Sequence, residues 1–174
     1  CRELAGRDAN HVLTHVCMGR AFLVWRRSSL AFEHIDRALV IAPDDYEARL
    51  ALADARRIQG DLVGGQEAYA RALAVRPNSA DANHGLGLLY LGFGKFAEAR
   101  ASFRKALDLD PEDPDTQLEL GRLDSGPEGL RLVEAALANR PGWPEAMLAV
   151  GTARTRAGNA AGGEEMLRAF LKRS

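Results

Sequence analysis

The fold is decided by residues 80–113, which read ADANHGLGLLYLGFGKFAEARASFRKALDLDPED. Small residues stand at Gly87, Ala99 and Ala106. Bulky apolar residues recur beside them at helical intervals: Leu86, Tyr90, Phe103 and Leu107. Two antiparallel helices approach to about 8–10 Å only where the contact ridge carries small side chains. Pro111 then ends the second helix, because proline lacks the N–H that would continue it. The stretch therefore predicts a pair of helices around a shared apolar core.

The same arrangement recurs along the chain at an interval of 34 residues, from Pro43 to Pro77 and from Pro77 to Pro111. A fixed period of this length is the sequence signature of a stacked helix-pair repeat. It predicts about ten helices. The expected units are a tail of a preceding repeat at 1–11 and repeats at 12–45, 46–79, 80–113, 114–143 and 144–174.

This pattern resembles the tetratricopeptide repeat. The signature of that family is a Leu-Gly pair, an aromatic residue, Ala, a second aromatic, a second Ala and a final Pro. Residues 80–113 match it almost completely, from Leu86-Gly87 to Pro111. The resemblance implies an all-α, right-handed superhelical solenoid of helix-turn-helix repeats, in which first helices line a concave face. It also implies a non-enzymatic scaffold that binds a peptide or partner protein there.

Carrying the groove positions of that family over to this chain predicts the partner-binding residues. Twelve are expected on the concave face: Val16, Arg20, Leu50, Asp54, Arg57, His84, Leu88, Leu91, Leu118, Arg122, Leu148 and Thr152. A strip of Val16, Leu50, His84, Leu118 and Leu148 would run along the groove between charges of both signs. The alternative for each leucine is ordinary helix packing, and the recurrence of the strip favours the binding interpretation.

The fourth repeat is shorter than the others. Pro111 and Pro141 are only 30 residues apart, and the loss falls between Gly121 and Gly129. Four missing residues shorten the first helix by about one turn, roughly 6 Å at about 1.5 Å per residue. This predicts a notch beside Arg122. Two interpretations stay open: the shortened repeat shapes a functional pocket, or it reflects neutral degeneration of one repeat.

Charge limits the classes of partner. The net charge is −1, and 20 arginines and 3 lysines are interspersed with 24 acidic residues. A protein that holds phosphates needs a basic stripe, and none is visible, so no nucleic acid partner is expected. A helical-repeat RNA reader would need polar reading residues at fixed places in each unit, and these are missing. The sequence contains no apolar run of about 18 residues, so it predicts no transmembrane segment.

Catalytic and metal sites find little support. His11 and His15 are four residues apart and Cys17 is close, which raises a zinc site as an alternative. However, no acidic residue lies between the two histidines, and His15 stands at a packing position. No set of nucleophile, base and oxyanion donor can be assembled. We therefore expect no enzyme activity, no cofactor and no metal.

The ends of the chain leave alternatives open. Cys1 falls in register with the end of a second helix, which favours a truncated earlier repeat and a cytoplasmic protein. A mature bacterial lipoprotein lipidated at Cys1, in the periplasm, is the alternative. At the other end no polar capping helix covers Leu167, Phe170 and Leu171, so either another segment covers them or the ends associate with each other. The second functional hypothesis is an arm of a larger enzyme, such as a glycosyltransferase, sulfotransferase or hydroxylase, or of a lipoprotein assembly factor.

Overall fold

The computed structural model describes residues 11–172, and this part of the chain is all-α, as predicted. It holds ten helices and no strand. In chain order they are α1 (Val12–Val24), α2 (Ser28–Ile41), α3 (Tyr46–Gln59), α4 (Leu62–Val75), α5 (Ala80–Gly92), α6 (Phe96–Leu109), α7 (Pro114–Leu123), α8 (Pro127–Asn139), α9 (Pro144–Arg156) and α10 (Ala160–Leu171). Cys1 and the predicted tail up to residue 10 lie outside the described residues.

Local sequence explains where the helices begin. The side chain of Asp45 accepts a hydrogen bond from the Ala48 N–H at 2.8 Å, which caps α3. Asp113 does the same for α7 with the Thr116 N–H at 2.8 Å. Such caps satisfy N–H groups that have no partner within the helix. The helices α7, α8 and α9 each begin with a proline, where the missing donor costs nothing.

The chain divides into two compact units, one ending at Ala99 and the other beginning at Arg100. In the first unit, α1 packs against α2 and α3 packs against α4. The core holds buried residues from several helices, among them Val16, Ala31 and Ile35. A Cβ built on Gly19 would come within 2.7 Å of Ile35 Cγ1. A small residue is therefore required where α1 and α2 approach each other.

In the second unit, α7 pairs with α8 and α9 pairs with α10. Its core contains Leu118, Val133 and Val150. A Cβ on Gly151 would come within 2.7 Å of Leu167 Cγ, so the same close approach recurs in the last pair. Within each unit, paired helices thus approach each other at small residues, as the sequence pattern predicted.

Residues 80–113 pack around an apolar core, as their pattern of small and bulky residues predicted. Ala99, Phe103 and Ala106 are buried, and Gly87 is buried as well. The partly buried Leu86 packs against the core of the first unit. We keep 12–45, 46–79, 80–113, 114–143 and 144–174 as the proposed bounds of the repeats.

Candidate functional site

Three residues of the predicted apolar strip lie in the core. Val16, Leu50 and Leu118 are only 1%, 5% and 2% exposed. Each belongs to a cluster of buried residues, and the alanines beside them let neighbouring helices come close enough to cover them. The expectation that these side chains are open anchors for a partner is therefore wrong. The alternative of ordinary packing holds for all three.

The polar residues predicted as groove contacts in the first unit form ion pairs and hydrogen bonds with other residues of that unit. Arg20 of α1 pairs with Glu47 of α3 at 2.8 Å. Asp54 accepts a hydrogen bond from the Tyr69 hydroxyl at 2.6 Å, and the Arg57 Nε donates to the same hydroxyl at 3.2 Å. These contacts tie α3 to its neighbours. Burial raises the pKa of Tyr69, and the negative charge of Asp54 raises it further. The phenol therefore stays protonated and donates its hydrogen bond to Asp54.

The remaining predicted residues of the first unit lie on α5. His84, Leu88 and Leu91 are all partly buried. The two leucines keep some open surface, so they stay candidates for a partner contact.

The second unit brings the other predicted residues together. Arg122, Leu148 and Thr152 line one cleft of about 710 Å³. Leu148 is 44% exposed, in contrast to the buried Leu118. The full lining is Gly121, Arg122, Asp124, Ser125, Gly126, Pro127, Leu130, Val133, Glu145, Leu148, Ala149, Thr152, Ala153, Arg156 and Ala157. This cleft lies where the sequence predicts a notch.

The cleft follows from the short helix α7. It has 10 residues, whereas α1, α5 and α9 have 13 and α3 has 14. The chain leaves the helix at Asp124, whose carboxylate is contacted by both Arg100 and Arg104. The Nη2 of Arg100 also donates to the Leu123 carbonyl at 2.9 Å. Cations near the last carbonyl groups of a helix interact favourably with the negative end of its dipole. These arginines therefore stabilise the early end of α7.

Close backbone contact fixes the wall of the cleft. A Cβ built on Gly129 would lie 1.9 Å from the Asp124 carbonyl oxygen, and one on Gly121 would lie 2.9 Å from the Gly129 carbonyl oxygen. Since α8 can start this close to the end of α7 only with glycine at both places, the two glycines set the shape of the cleft. Leu130 of α8 then faces it, whereas Val133 of the same helix is buried in the core.

The chemistry of the lining suits binding. Leu130, Leu148, Ala153 and Ala157 offer apolar surface, and the lining also carries the charged residues Arg122, Asp124, Glu145 and Arg156. The Thr152 hydroxyl donates within its own helix, toward the carbonyls of Leu148 at 3.0 Å and Ala149 at 2.9 Å. No histidine, cysteine or lysine lines the cleft. Residues 11–172 contain no group of three or more His, Cys, Asp or Glu side chains placed to hold a metal ion.

A family model described as Tetratricopeptide repeat matches residues 50–114. Residues 50–114 thus belong to the tetratricopeptide repeat family, which confirms the predicted resemblance. Proteins built of tetratricopeptide repeats generally act in protein–protein interaction, as non-enzymatic scaffolds. None of the helices in the described part of the chain is long and apolar enough to cross a membrane.

Among curated proteins, the Arabidopsis thaliana Protein CTR9 homolog is 30% identical over 118 residues. That match spans 67% of this chain and 11% of the relative, so the chain corresponds to a small part of that protein's length.

Three solved structures of similar fold can be compared. The pilF protein of Pseudomonas aeruginosa has a TM-score of 0.85 at 20% identity, over 96% of this chain and 78% of its own. PilW, described as a widely conserved type IV pilus biogenesis factor, has a TM-score of 0.81 at 22% identity, over 93% and 77%. YrrB, described as a TPR protein with an unusual peptide-binding site, has a TM-score of 0.68 at 15% identity, over 98% and 90%. These identities show a common fold.

Sequence reasoning missed part of the cleft because it placed the groove of the tetratricopeptide repeats on first helices alone. Leu130 and Val133 belong to the second helix α8, and Ser125, Gly126 and Pro127 belong to the turn before it. The signal that could have found them was the four-residue loss between Gly121 and Gly129. A shortened first helix uncovers the helix behind it.

Proposed function

We propose that this chain is a non-enzymatic interaction module that binds an extended segment of a partner protein in the cleft of its second unit. One observation carries the proposal: an open cleft of about 710 Å³ whose lining combines apolar side chains with charged groups. Ligand sites are typically concave and largely apolar, with a few polar groups that set orientation. The general role of tetratricopeptide repeats in protein–protein interaction supports a protein as the ligand.

The lining favours binding over catalysis. Its hydroxyl groups belong to Ser125 and Thr152, and the latter is hydrogen-bonded to its own helix. Activation of a hydroxyl nucleophile needs an adjacent base such as histidine, and the lining contains none. The cleft therefore offers contact surface and charge, which are the properties that a binding site for a peptide needs.

Two of the structural neighbours support the class of partner. PilW is described as a pilus biogenesis factor and YrrB as having a peptide-binding site. We propose an analogous use of this fold, on a surface specific to this chain. Leu88 and Leu91 of the first unit, both partly exposed, are proposed as a further contact for a partner.

The test is a selection of random heptapeptides displayed on phage, carried out against the purified chain and against Leu148→Asp. We expect the chain to enrich peptides whose affinity falls at least about tenfold in the variant, because a carboxylate would then lie in the apolar centre of the cleft. Titration calorimetry with the enriched peptides measures this change. Since Leu148 is 44% exposed, its replacement leaves the core intact, and unchanged circular dichroism checks this.

Leu171→Asp is the matched control. It places the same charge on a 70% exposed leucine of the same unit, outside the cleft, and should leave binding unchanged. The proposal is wrong if no peptide is enriched, or if Leu148→Asp binds the enriched peptides as tightly as the unmodified chain.

A further inference from the structure

We infer that the segment accepted by this cleft is dipolar: a carboxylate at one end, an apolar side chain in the middle and a cationic side chain at the other end. The inference rests on the proposed function and adds the chemistry and order of the ligand. It follows from the placement of three charged residues of the lining, Arg122, Arg156 and Glu145.

Two arginines lie at one end of the cleft. Arg122 is in the last turn of α7, and Arg156 is in the last turn of α9. Short turns make α8 antiparallel to both of these helices, so α7 and α9 run in the same direction and end on the same side. Both guanidinium groups therefore belong to the same end of the site.

These arginines are available to a ligand. Arg122 is 56% exposed in its side chain and has only a loose pair with Glu119, at 3.6 Å. Arg156 is exposed and forms no ion pair with any residue from 11 to 172. Asp124 also lines this end, but its carboxylate is 14% exposed and already contacts Arg100 and Arg104. The balance of charge at this end is positive, which favours a carboxylate.

An acidic residue lies at the opposite end. Glu145 is in the first turn of α9, is exposed, and forms no ion pair within the described residues. The nearby Arg140 forms its hydrogen bonds with Asp115, at 2.8 and 3.2 Å, and the charge of Glu145 attracts it only from beyond ion-pair distance. A cationic group of a ligand would thus find an available carboxylate at Glu145.

The spacing sets the length of the segment. Glu145 and Arg156 are eleven positions apart on one helix, about 16 Å at about 1.5 Å per residue. An extended peptide covers this distance with about five residues at about 3.3 Å each. Between the ends, the cleft presents Leu130, Leu148 and Ala153, and the Thr152 hydroxyl is turned to its own helix. The centre of the segment is therefore apolar.

The charges act mainly on specificity. A segment with acidic groups at both ends would place one carboxylate beside Glu145, and a segment with two basic ends would place a cation beside Arg122 and Arg156. Like charges in contact disfavour the wrong partner more than matched charges strengthen the right one. Because these groups are exposed, salt should reduce the discrimination, since the screening length falls from about 10 Å at about 0.1 M to about 3 Å at about 1 M.

The experiment uses capped five-residue peptides with leucine in the centre and serine on both sides of it. Four sequences differ only in their ends: Glu and Lys, Lys and Glu, Glu and Glu, and Lys and Lys. Titrations followed by nuclear magnetic resonance give the affinities at low and high salt. We expect one of the two dipolar orders to bind at least about fivefold tighter than either uniformly charged peptide at low salt, with a smaller ratio at high salt.

Charge-reversal variants test the assignment of each end. Glu145→Lys should shift the preference to the peptide with two acidic ends, and the double change Arg122→Glu and Arg156→Glu should shift it to the peptide with two basic ends. Arg168→Glu, an exposed charge of α10 outside the cleft, should change nothing.

Two outcomes separate the inference from the proposed function. Equal affinity for all four peptides, lost in Leu148→Asp, would overturn the dipolar inference and keep the cleft as the binding site. Binding that Leu148→Asp leaves unchanged would overturn both. A dipolar peptide that does not bind at all overturns the inference, while the peptide selection still decides the proposed function.

Discussion

The Nδ1 atoms of His15 and His34 lie 3.0 Å apart, between α1 and α2 of the first unit. At this distance one imidazole donates a proton and the other accepts it, so both rings cannot carry a full charge. Burial first, then the charges of His34 and Arg37, lower the pKa of His15 below its ordinary value of 6.5. Sequence reasoning placed His15 in the packing of the helix, but it did not foresee His34 as its partner.

This pair predicts that stability depends on pH. The folded chain favours neutral His15, so below about pH 6.5 the unfolded state binds more protons and the free energy of unfolding falls. The loss continues until the pH reaches the lowered pKa of the folded state. Thermal melts between pH 8 and 5, with about 1.4 kcal/mol expected for each unit of separation between the two pKa values, measure this effect.

His15→Leu is the comparison for the pH series. It removes the buried imidazole, so its free energy of unfolding should fall less steeply on acidification than that of the unmodified chain. Identical slopes for the two proteins would contradict the assignment of the pH effect to His15.

The contact between α7 and α8 predicts a steric effect at Gly129. Its built Cβ would come 1.9 Å from the Asp124 carbonyl oxygen, so Gly129→Ala must displace backbone and should destabilise by about 1–3 kcal/mol. Gly92→Ala is the control, because a Cβ there meets no atom within 4 Å, so alanine should fit without displacing any neighbour. Urea unfolding of both variants measures the difference. Equal shifts would show that the approach of the two helices is not tight.

The Tyr69 hydroxyl predicts a polar contribution to the first unit. Tyr69→Phe leaves Asp54 without its 2.6 Å donor and Arg57 without its 3.2 Å acceptor, and should destabilise by about 1–3 kcal/mol. Tyr90→Phe is the control, since the Tyr90 hydroxyl bonds to none of the described residues. A double-mutant cycle of Tyr69→Phe with Asp54→Ala isolates the coupling. Additive effects would contradict it.

The repeat frame predicts overpacking at Ala99. This residue is fully buried, so Ala99→Leu should destabilise by about 1–3 kcal/mol, as extra methyl groups force neighbouring side chains apart. The exposed neighbour Glu98→Gln should shift the melting temperature very little. A calorimetric melt that gives equal, negligible shifts for both variants would contradict the assigned frame.

The sequence alone determined the all-α class and the positions of close helix contact. Both are local properties: Ala99, Phe103 and Ala106 recur at helical intervals, and Pro111 ends a helix through the chemistry of its own backbone. The notch beside Arg122 was also predictable, because a deletion of four residues removes about one helical turn wherever it occurs.

Tertiary structure alone decided which apolar residues stay open. Leu118 and Leu148 occupy equivalent positions in successive repeats, yet Leu118 is 2% exposed and Leu148 is 44% exposed. Their difference depends on how near the neighbouring helices come, and helix spacing arises from contacts between residues distant in sequence. For the same reason, only the structure placed Leu130 in the cleft and His34 beside His15. Spacing along the chain defines the face of a helix, and packing defines what covers that face.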